Sequence, residues 1–234
     1  VSNDSIRLEI DGMCSGYGPV AIVRDVSFAL RKNTITMLLG PNGAGKSTTC
    51  KSIIGLLPLT AGRLWLDGVN ITTRPCWWRA QEGIFVAPEG RGVFPALSVD
   101  DNLRLTIRSA ADRSKVYERF ANLAARRRLV AGSLSGGEQQ MLALAPAWIT
   151  GPKILIADEP TLGLAPRAAD QVLQLFEELR IAGATILLVA ESPRGLIEIT
   201  DTVVLLRGGR IVWSGARGEL GSDTIEQAYF SDVQ

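Results

Sequence analysis

The sequence predicts an α/β fold with a mostly parallel sheet, an antiparallel β portion at the N-terminus and a helical insertion. Three observations carry this expectation. Short apolar runs of strand length alternate with longer stretches of helical periodicity, and the opening alternates residue by residue around turn sequences. One polar, arginine-bearing stretch then breaks the alternation with a helical pattern of its own.

In chain order, Ile6, Leu8 and Ile10 alternate with Arg7 and Glu9, and Val26, Phe28 and Leu30 alternate again beyond Gly16-Tyr17-Gly18-Pro19, so two strands flank a turn. Thr34–Leu39 is a short apolar strand, followed at once by a glycine-rich loop and then by Ser47–Leu57, which is long enough for a helix. Gly62–Ile71 alternates around the turn pair Asp67-Gly68, and Ile84–Ala87 is another strand. From Ser98 to about Arg128 the pattern turns helical, with Val99, Leu103 and Ile107 at helical spacing and Arg126-Arg127-Arg128 at its end. Strands return at Ile154–Ala157, Thr185–Val189 and Val203–Leu206. Between the first two, Ala168–Ile181 sets Val172, Leu175, Phe176 and Leu179 on one helical face.

At 234 residues the chain can bury one substantial core, and a single domain is expected. Its α/β core comprises 1–97 and 140–234, and about 98–139 forms the helical part. Lys and Arg total 25 against 24 Asp and Glu, a formal charge of +1, so no broad basic field points to nucleic acid. There is no His, which removes the commonest metal ligand and general base. Chemistry here must run on carboxylates, lysine, backbone amides or a bound cation. Cys14, Cys50 and Cys76 are widely spaced and odd in number, which suggests neither a disulfide framework nor a thiolate zinc site and fits a reducing compartment. The longest apolar run, Ala184–Ala190, contains Thr185 and falls far short of the roughly 20 residues of a membrane span. Val1–Asp11 lacks the pattern of a signal peptide, so a cytoplasmic location is expected.

Gly40-Pro41-Asn42-Gly43-Ala44-Gly45-Lys46-Ser47 fits G-x-x-x-x-G-K-[ST], between a predicted strand and a predicted helix. Glycines let the backbone turn its N–H groups around phosphate oxygens, and the helix starting near Lys46 adds its positive end. Lys46 suits the β/γ-phosphates and Ser47 suits Mg²⁺. Ile154–Glu159 is an apolar strand ending in two acids, so the carboxylates emerge at the carboxyl edge of the sheet, where open α/β sheets bind ligands. Asp158 is placed to hold Mg²⁺ and Glu159 to orient and polarise an attacking water. Leu134-Ser135-Gly136-Gly137-Glu138-Gln139-Gln140 is a second small-residue turn leading into a helix, another anion site.

Together these three segments resemble the nucleotide-binding subunits of ABC transporters, over nearly the whole chain. The resemblance implies a P-loop NTPase core that binds ATP and Mg²⁺ and hydrolyses ATP, with the loop from Gly40 through Thr48 holding nucleotide. It also implies that two subunits face head to tail, so that the turn of Ser135, Gly136, Gly137 and Glu138 serves the partner's nucleotide. Ser135 and Gly137 would cap its γ-phosphate. A narrower likeness lies in Ala87-Pro88-Glu89-Gly90-Arg91-Gly92-Val93-Phe94-Pro95, similar to a segment of LivF-like importer subunits, with Ser135–Met141 and Asp158–Pro166 agreeing. That branch energises uptake of branched-chain amino acids and related solutes. Implied partners are a homologous ATP-binding subunit or a second copy, integral membrane permease subunits and, indirectly, a solute-binding protein. The implied place is the cytoplasmic face of the membrane, with no nucleic-acid partner. Two other classes stay open at this stage: a soluble ABC-type ATPase without a permease, and a nucleotide-binding regulatory module that hydrolyses weakly. Tyr17 lies where the family stacks an aromatic ring on adenine, though a tyrosine packed on a sheet edge fits too.

Several positions depart from the family pattern. Glu89 stands where most members have glutamine, as the LivF-like branch tolerates, and either side chain offers an oxygen to Mg²⁺ and to water. Glu191 occupies the position of a usual histidine. Two unit charges about 4 Å apart at an effective dielectric near 20 interact by roughly 4 kcal/mol, enough to keep an ionised Glu191 off an unscreened γ-phosphate. It must turn away, take a proton or pair with a cation, and turning away is the expectation, with catalysis resting on Glu159. Pro146 replaces a common arginine and is expected to kink or interrupt its helix. Ala165 replaces a common aspartate that signals across the dimer. Trp77-Trp78 fits either a docking groove for a membrane partner or a core. Arg126–Arg128 reads as a solvated face.

Overall fold

The computed structural model describes residues 5–90 and 92–221. Val1–Asp4 of the opening segment and Arg91 of the LivF-like segment lie outside the described residues. A hairpin opens the chain, with β1 (Ile6–Tyr17) antiparallel to β2 (Val20–Arg31), so the turn predicted around Gly16–Pro19 narrows to Gly18-Pro19. After β3 (Ile35–Leu39) comes α1 (Lys46–Ile53), shorter than predicted because Gly55 takes the left-handed conformation just after it. β4 (Leu59–Leu66) and the short β5 (Val69–Asn70) complete a four-stranded antiparallel sheet in the order β2-β1-β4-β5.

The larger sheet takes β6 (Ile84–Ala87), β7 (Ile154–Asp158), β8 (Thr185–Ala190), β9 (Thr202–Arg207) and β10 (Arg210–Ala216). Its order is β10-β9-β3-β8-β7-β6, parallel throughout except for β10 at one edge. The sequence reading missed β10 and the short α2 (Cys76–Gln81) that precedes β6. β10 alternates between half-buried and exposed residues, so no apolar run marks it.

Period-two alternation sorts the buried strands onto two cores. Leu38, Ile156, Leu187, Val189, Val204 and Leu206 face Cys50 and Ile53 of α1 and the antiparallel sheet. Met37, Leu39, Leu155, Ile186, Leu188 and Leu205 face the opposite way, onto helices. Chief among those are α6 (Gly136–Thr150) and α7 (Pro166–Ile181). Val172, Leu175, Phe176 and Leu179 of α7 are buried as its periodicity predicts.

Between β6 and β7 the chain runs through α3 (Val99–Thr106), α4 (Ala110–Arg119) and α5 (Ala121–Ala125) before α6. Ser98 caps α3 by accepting from the Asp101 N–H at 3.0 Å, and Val99, Leu103 and Ile107 are buried. The arginine run here does more than face water. Arg127 pairs with Asp100 at 2.8 Å, Tyr117 donates to the same carboxylate at 2.8 Å, and Arg126 pairs with Glu138 at 3.0 Å. Burial works to raise the Asp100 carboxyl, yet the donations from Arg127 and Tyr117 hold it below the usual carboxylate range.

Pro146 does not interrupt its helix. α6 runs unbroken through it, and Pro146 is buried against the core. The missing N–H removes one ladder bond, but the chain stays helical because its apolar neighbours Leu142, Leu144, Ala145 and Ala147 are buried too. Among the described residues no helix is long and apolar enough to cross a membrane.

Arg79 in α2 is buried and is held by main-chain carbonyls. Its guanidinium donates to the carbonyls of Ser52 and Ile53 at the end of α1 and to those of Thr72 and Arg74. Burial lowers its proton affinity, and four carbonyl oxygens hold the charged form in place. Phe176 of α7 is wholly buried in the core that α7 shares with the parallel sheet. Phe176→Ala is expected to lower unfolding free energy by about 3–5 kcal/mol in denaturant titration.

Candidate active site

The parallel register brings four chain exits to one edge. Leu39 pairs with Ala190 and Leu205, Asp158 with Val189, and Ala87 with Ala157. Gly40 therefore leaves β3, Glu191 leaves β8, Asp158 ends β7 with Glu159 next, and Glu89 lies just beyond β6. Adjacent strands lie about 4.8 Å apart, so these exits from β3 to β6 occupy a strip of about 14 Å. Residues far apart in the chain meet because ladder hydrogen bonding puts every parallel strand's carboxyl end on the same side.

Gly45 precedes α1 with φ 103°, a conformation that suits glycine, and turns the first N–H groups of the helix toward the loop. No acid sits in the first turn of α1, so its positive end is open to an anion. Lys46 is buried and its Nζ donates to the carbonyls of Gly40 at 2.7 Å and Pro41 at 3.3 Å. Ser47 Oγ donates to Asp158 Oδ2 at 3.4 Å.

A support that sequence reasoning missed lies behind this loop. The turn between β9 and β10 brings the Gly209 N–H to the Ala44 carbonyl at 2.9 Å, and the Arg24 N–H of β2 donates to the Gly209 carbonyl at 2.8 Å. A Cβ at Gly209 would lie 1.8 Å from the Ile22 carbonyl oxygen, so no side chain fits. The available signal was the Gly208-Gly209 pair after an apolar strand.

The acids are set by burial and by one another. Burial raises Asp158, the negative charge of Glu89 raises it further, and Lys46 opposes both. Burial also raises Glu159, against which a main-chain hydrogen bond from Glu191 and the charge of Lys46 act. Glu159 adopts φ 47°, unusual for a residue with a side chain and costing about 1–3 kcal/mol, and its N–H is held by the Val189 carbonyl at 2.8 Å. Glu191 Oε2 accepts a hydrogen bond from Asn42 Nδ2 at 2.9 Å, joining the end of β8 to the glycine-rich loop. An uncharged amide is a partner that the charge argument alone does not single out.

At the second turn, Ser135 caps α6, its Oγ accepting from the Glu138 N–H at 3.4 Å. Glu138 Oε2 accepts in return from the Ser135 N–H at 3.0 Å and hydroxyl at 2.9 Å, while Oε1 pairs with Arg126. Gly136 opens the helix, and a Cβ on Gly137 would sit 2.5 Å from that of Ala168, so this turn packs directly on α7.

A family model described as ABC transporter matches residues 23–162, more than half of the 234. The chain belongs to the ABC transporter family. It is 39% identical to the probable branched-chain amino acid transport ATP-binding protein LivF of Archaeoglobus fulgidus, over 88% of this chain and 90% of that one. It is 37% identical to the high-affinity branched-chain amino acid transport ATP-binding protein BraG of Pseudomonas aeruginosa, over 88% and 91% of the two chains. A solved ATP-binding subunit of an ABC transporter superposes with TM-score 0.79 at 29% identity, covering 94% of this chain and 92% of its own. As a member of this family the chain binds and hydrolyses ATP.

Around this ABC site, Tyr17 is half-exposed, and Lys51 donates to its hydroxyl at 3.2 Å with the ammonium 5.7 Å from the ring centre. That hydrogen bond lowers the Tyr17 hydroxyl below its ordinary range. Lys51, one turn beyond Ser47 in α1, escaped sequence reading because a lone lysine on a helix carries no motif. The two tryptophans differ in environment. Trp77 is 61% exposed and lines an apolar groove of about 350 Å³ with Leu56, Ala80 and Phe85, whereas Trp78 packs on the inner core under Arg74. Ala165 precedes α7 and gives it no side-chain cap.

Gly209→Ala is expected to push the loop at Ala44 out of place. It should weaken nucleotide binding at least tenfold and lower the melting temperature. Gly208→Ala, whose Cβ meets open space, should cost only the roughly 1–2 kcal/mol of a left-handed residue with a side chain. Equilibrium binding of a fluorescent nucleotide beside thermal unfolding checks both.

Proposed function

We propose that the chain is the ATP-hydrolysing subunit of an importer for branched-chain amino acids or chemically related small solutes. It would act at the cytoplasmic face of the membrane through separate permease subunits. The observation that supports this reading best is the meeting of the Gly40–Ser47 loop, Asp158, Glu159 and Glu89 at one sheet edge, in a chain 39% identical to a LivF protein over most of its length.

In this reading the loop amides and Lys46 hold the β- and γ-phosphates, the ammonium leaving the Gly40 and Pro41 carbonyls for phosphate oxygens. Tyr17 stacks on the base, and Lys51 steadies the ring. Ser47, Asp158 and Glu89 are an all-oxygen set that would hold Mg²⁺, whose charge would offset the repulsion by which Glu89 raises Asp158. Bound there, Mg²⁺ would neutralise charge on the phosphates during transfer. Glu159 orients a water for in-line attack on the γ-phosphorus and accepts its proton as the bond to the β-phosphate oxygen breaks.

Hydrolysis is completed across a pair. Ser135 and Gly137 would cap the γ-phosphate held by a second ATP-binding subunit, either a homologue or another copy. In that case the Ser135–Glu138 cap and the Arg126 pair serve to fix the turn that reaches across. The groove beside Trp77 would receive the permease. Nucleic acid plays no part in this reading.

Glu159→Gln is expected to lower ATP turnover at least 100-fold while leaving nucleotide affinity within about twofold, and chelating Mg²⁺ to abolish turnover. Because burial raises the Glu159 carboxyl, it takes up its proton at a higher pH than an ordinary glutamate. The acid limb of kcat/KM should accordingly lie above the usual glutamate range of about 4.3. A steady-state pH series on wild type reads this directly. Leucine uptake into vesicles carrying the permease subunits, present with wild type and absent with Glu159→Gln, tests the transport assignment.

A further inference from the structure

The end of β8 makes three successive contacts with the site. The Val189 carbonyl accepts from the N–H of Glu159 at 2.8 Å, and the Ala190 carbonyl accepts from the N–H of Gly40 at 3.3 Å. Glu191 then accepts from the Asn42 side-chain amide at 2.9 Å. The first contact holds the acid that aims the water. The other two hold the loop that carries the phosphates, one at its base and one at its crest.

We propose that Glu191 is a positioning residue for nucleotide binding, its carboxylate anchoring the crest of the phosphate loop through Asn42. The carboxylate is suited to this task by chemistry as well as by place. It is an acceptor, the Asn42 amide is a donor, and a hydrogen bond to a charged acceptor is stronger than one between neutral groups. The same bond directs the Glu191 oxygen to an amide of the loop, an arrangement compatible with a polyanion in the cradle. Loop glycines make such an anchor useful, since Gly43 and Gly45 leave Asn42 on a backbone of high intrinsic freedom. Glu191 thus acts through Asn42 and needs no contact with the transferred phosphoryl group. The inference rests on the reading of Gly40–Ser47 as the nucleotide cradle.

The test is a double-mutant cycle on the full chain, with affinity for a fluorescent ADP analogue as readout and thermal unfolding recorded for each variant. Glu191→Ala and Asn42→Ala should each weaken binding about fivefold, and the double variant no more than about fivefold, since both remove one bond. Glu191→Gln keeps an acceptor oxygen at the same reach and should hold affinity within about twofold of wild type. Effects that multiply to about 25-fold in the double variant, or a glutamine variant as weak as the alanine one, would overturn the proposal. Should Glu191→Ala unfold, a reversed pair reads the same contact. Asn42→Asp sets two carboxylates together, and adding Glu191→Gln restores a donor and an acceptor, so affinity should recover at least threefold over Asn42→Asp alone. No recovery would count against the anchor. A wild type that binds no nucleotide would overturn the cradle itself and this inference with it, whereas tight wild-type binding with a multiplicative cycle removes the anchor alone.

Discussion

Main-chain hydrogen bonding along β9, β3, β8, β7 and β6 is the constraint on which the other features depend. The ladder pairs main-chain N–H and C=O groups of strands that run the same way, and that shared direction delivers each strand's carboxyl end to one edge. The Gly40–Ser47 loop, Glu191, the Asp158-Glu159 pair and Glu89 are neighbours for this reason, though they are separated by long stretches of chain. Helices cover one face and the antiparallel sheet with α1 covers the other, which excludes water from the ladder and supplies the burial that shifts Asp158 and Glu159. Stability and chemistry share one origin here: the buried strands that hold the fold also raise the proton affinity of the acids at their ends.

Rigidity at the edge is built from behind. The β9–β10 turn presses Gly209 against both β2 and the loop at Ala44, and Arg79 binds the far end of α1 through main-chain carbonyls. The helix carrying Lys46 and Ser47 is therefore held at both ends by groups with no share in the chemistry. The groove at Trp77 lies directly beside Arg79, the residue that clamps the end of α1. At the second turn, Glu138 and Arg126 perform the equivalent service for Ser135, turning part of an arginine run into a local brace.

Much of this was legible in the sequence because local periodicity and motif spacing are local physics. Apolar runs marked β3, β6, β7, β8 and β9 within a residue or two, the periodicity of α7 matched its buried face, and the loop at Gly40 stood between a strand and a helix as its pattern requires. The likeness to ABC transporter subunits, resting on three separated segments, agrees with the family match and with relatives of 37–39% identity. Elements without an apolar run escaped: β10 with its half-exposed strand, and α2, a single short helix whose two tryptophans point to different environments. Pro146 leaves α6 uninterrupted for a related reason, since helix propensity is a local quantity and the packing that overrides it is not.

The sequence by itself determined the fold class, the family, the glycine-rich loop and the acids that follow the strands, because each is written in residues adjacent along the chain. Tertiary structure alone decided which distant groups meet. Asn42 and Glu191 lie 149 positions apart, yet form a hydrogen bond because β3 and β8 are neighbours in the ladder. Gly209 supports Ala44 because β9 flanks β3 on the other side. Such contacts depend on strand order, and strand order is set by how two faces of one sheet are buried at once, a property that no stretch of the chain holds on its own.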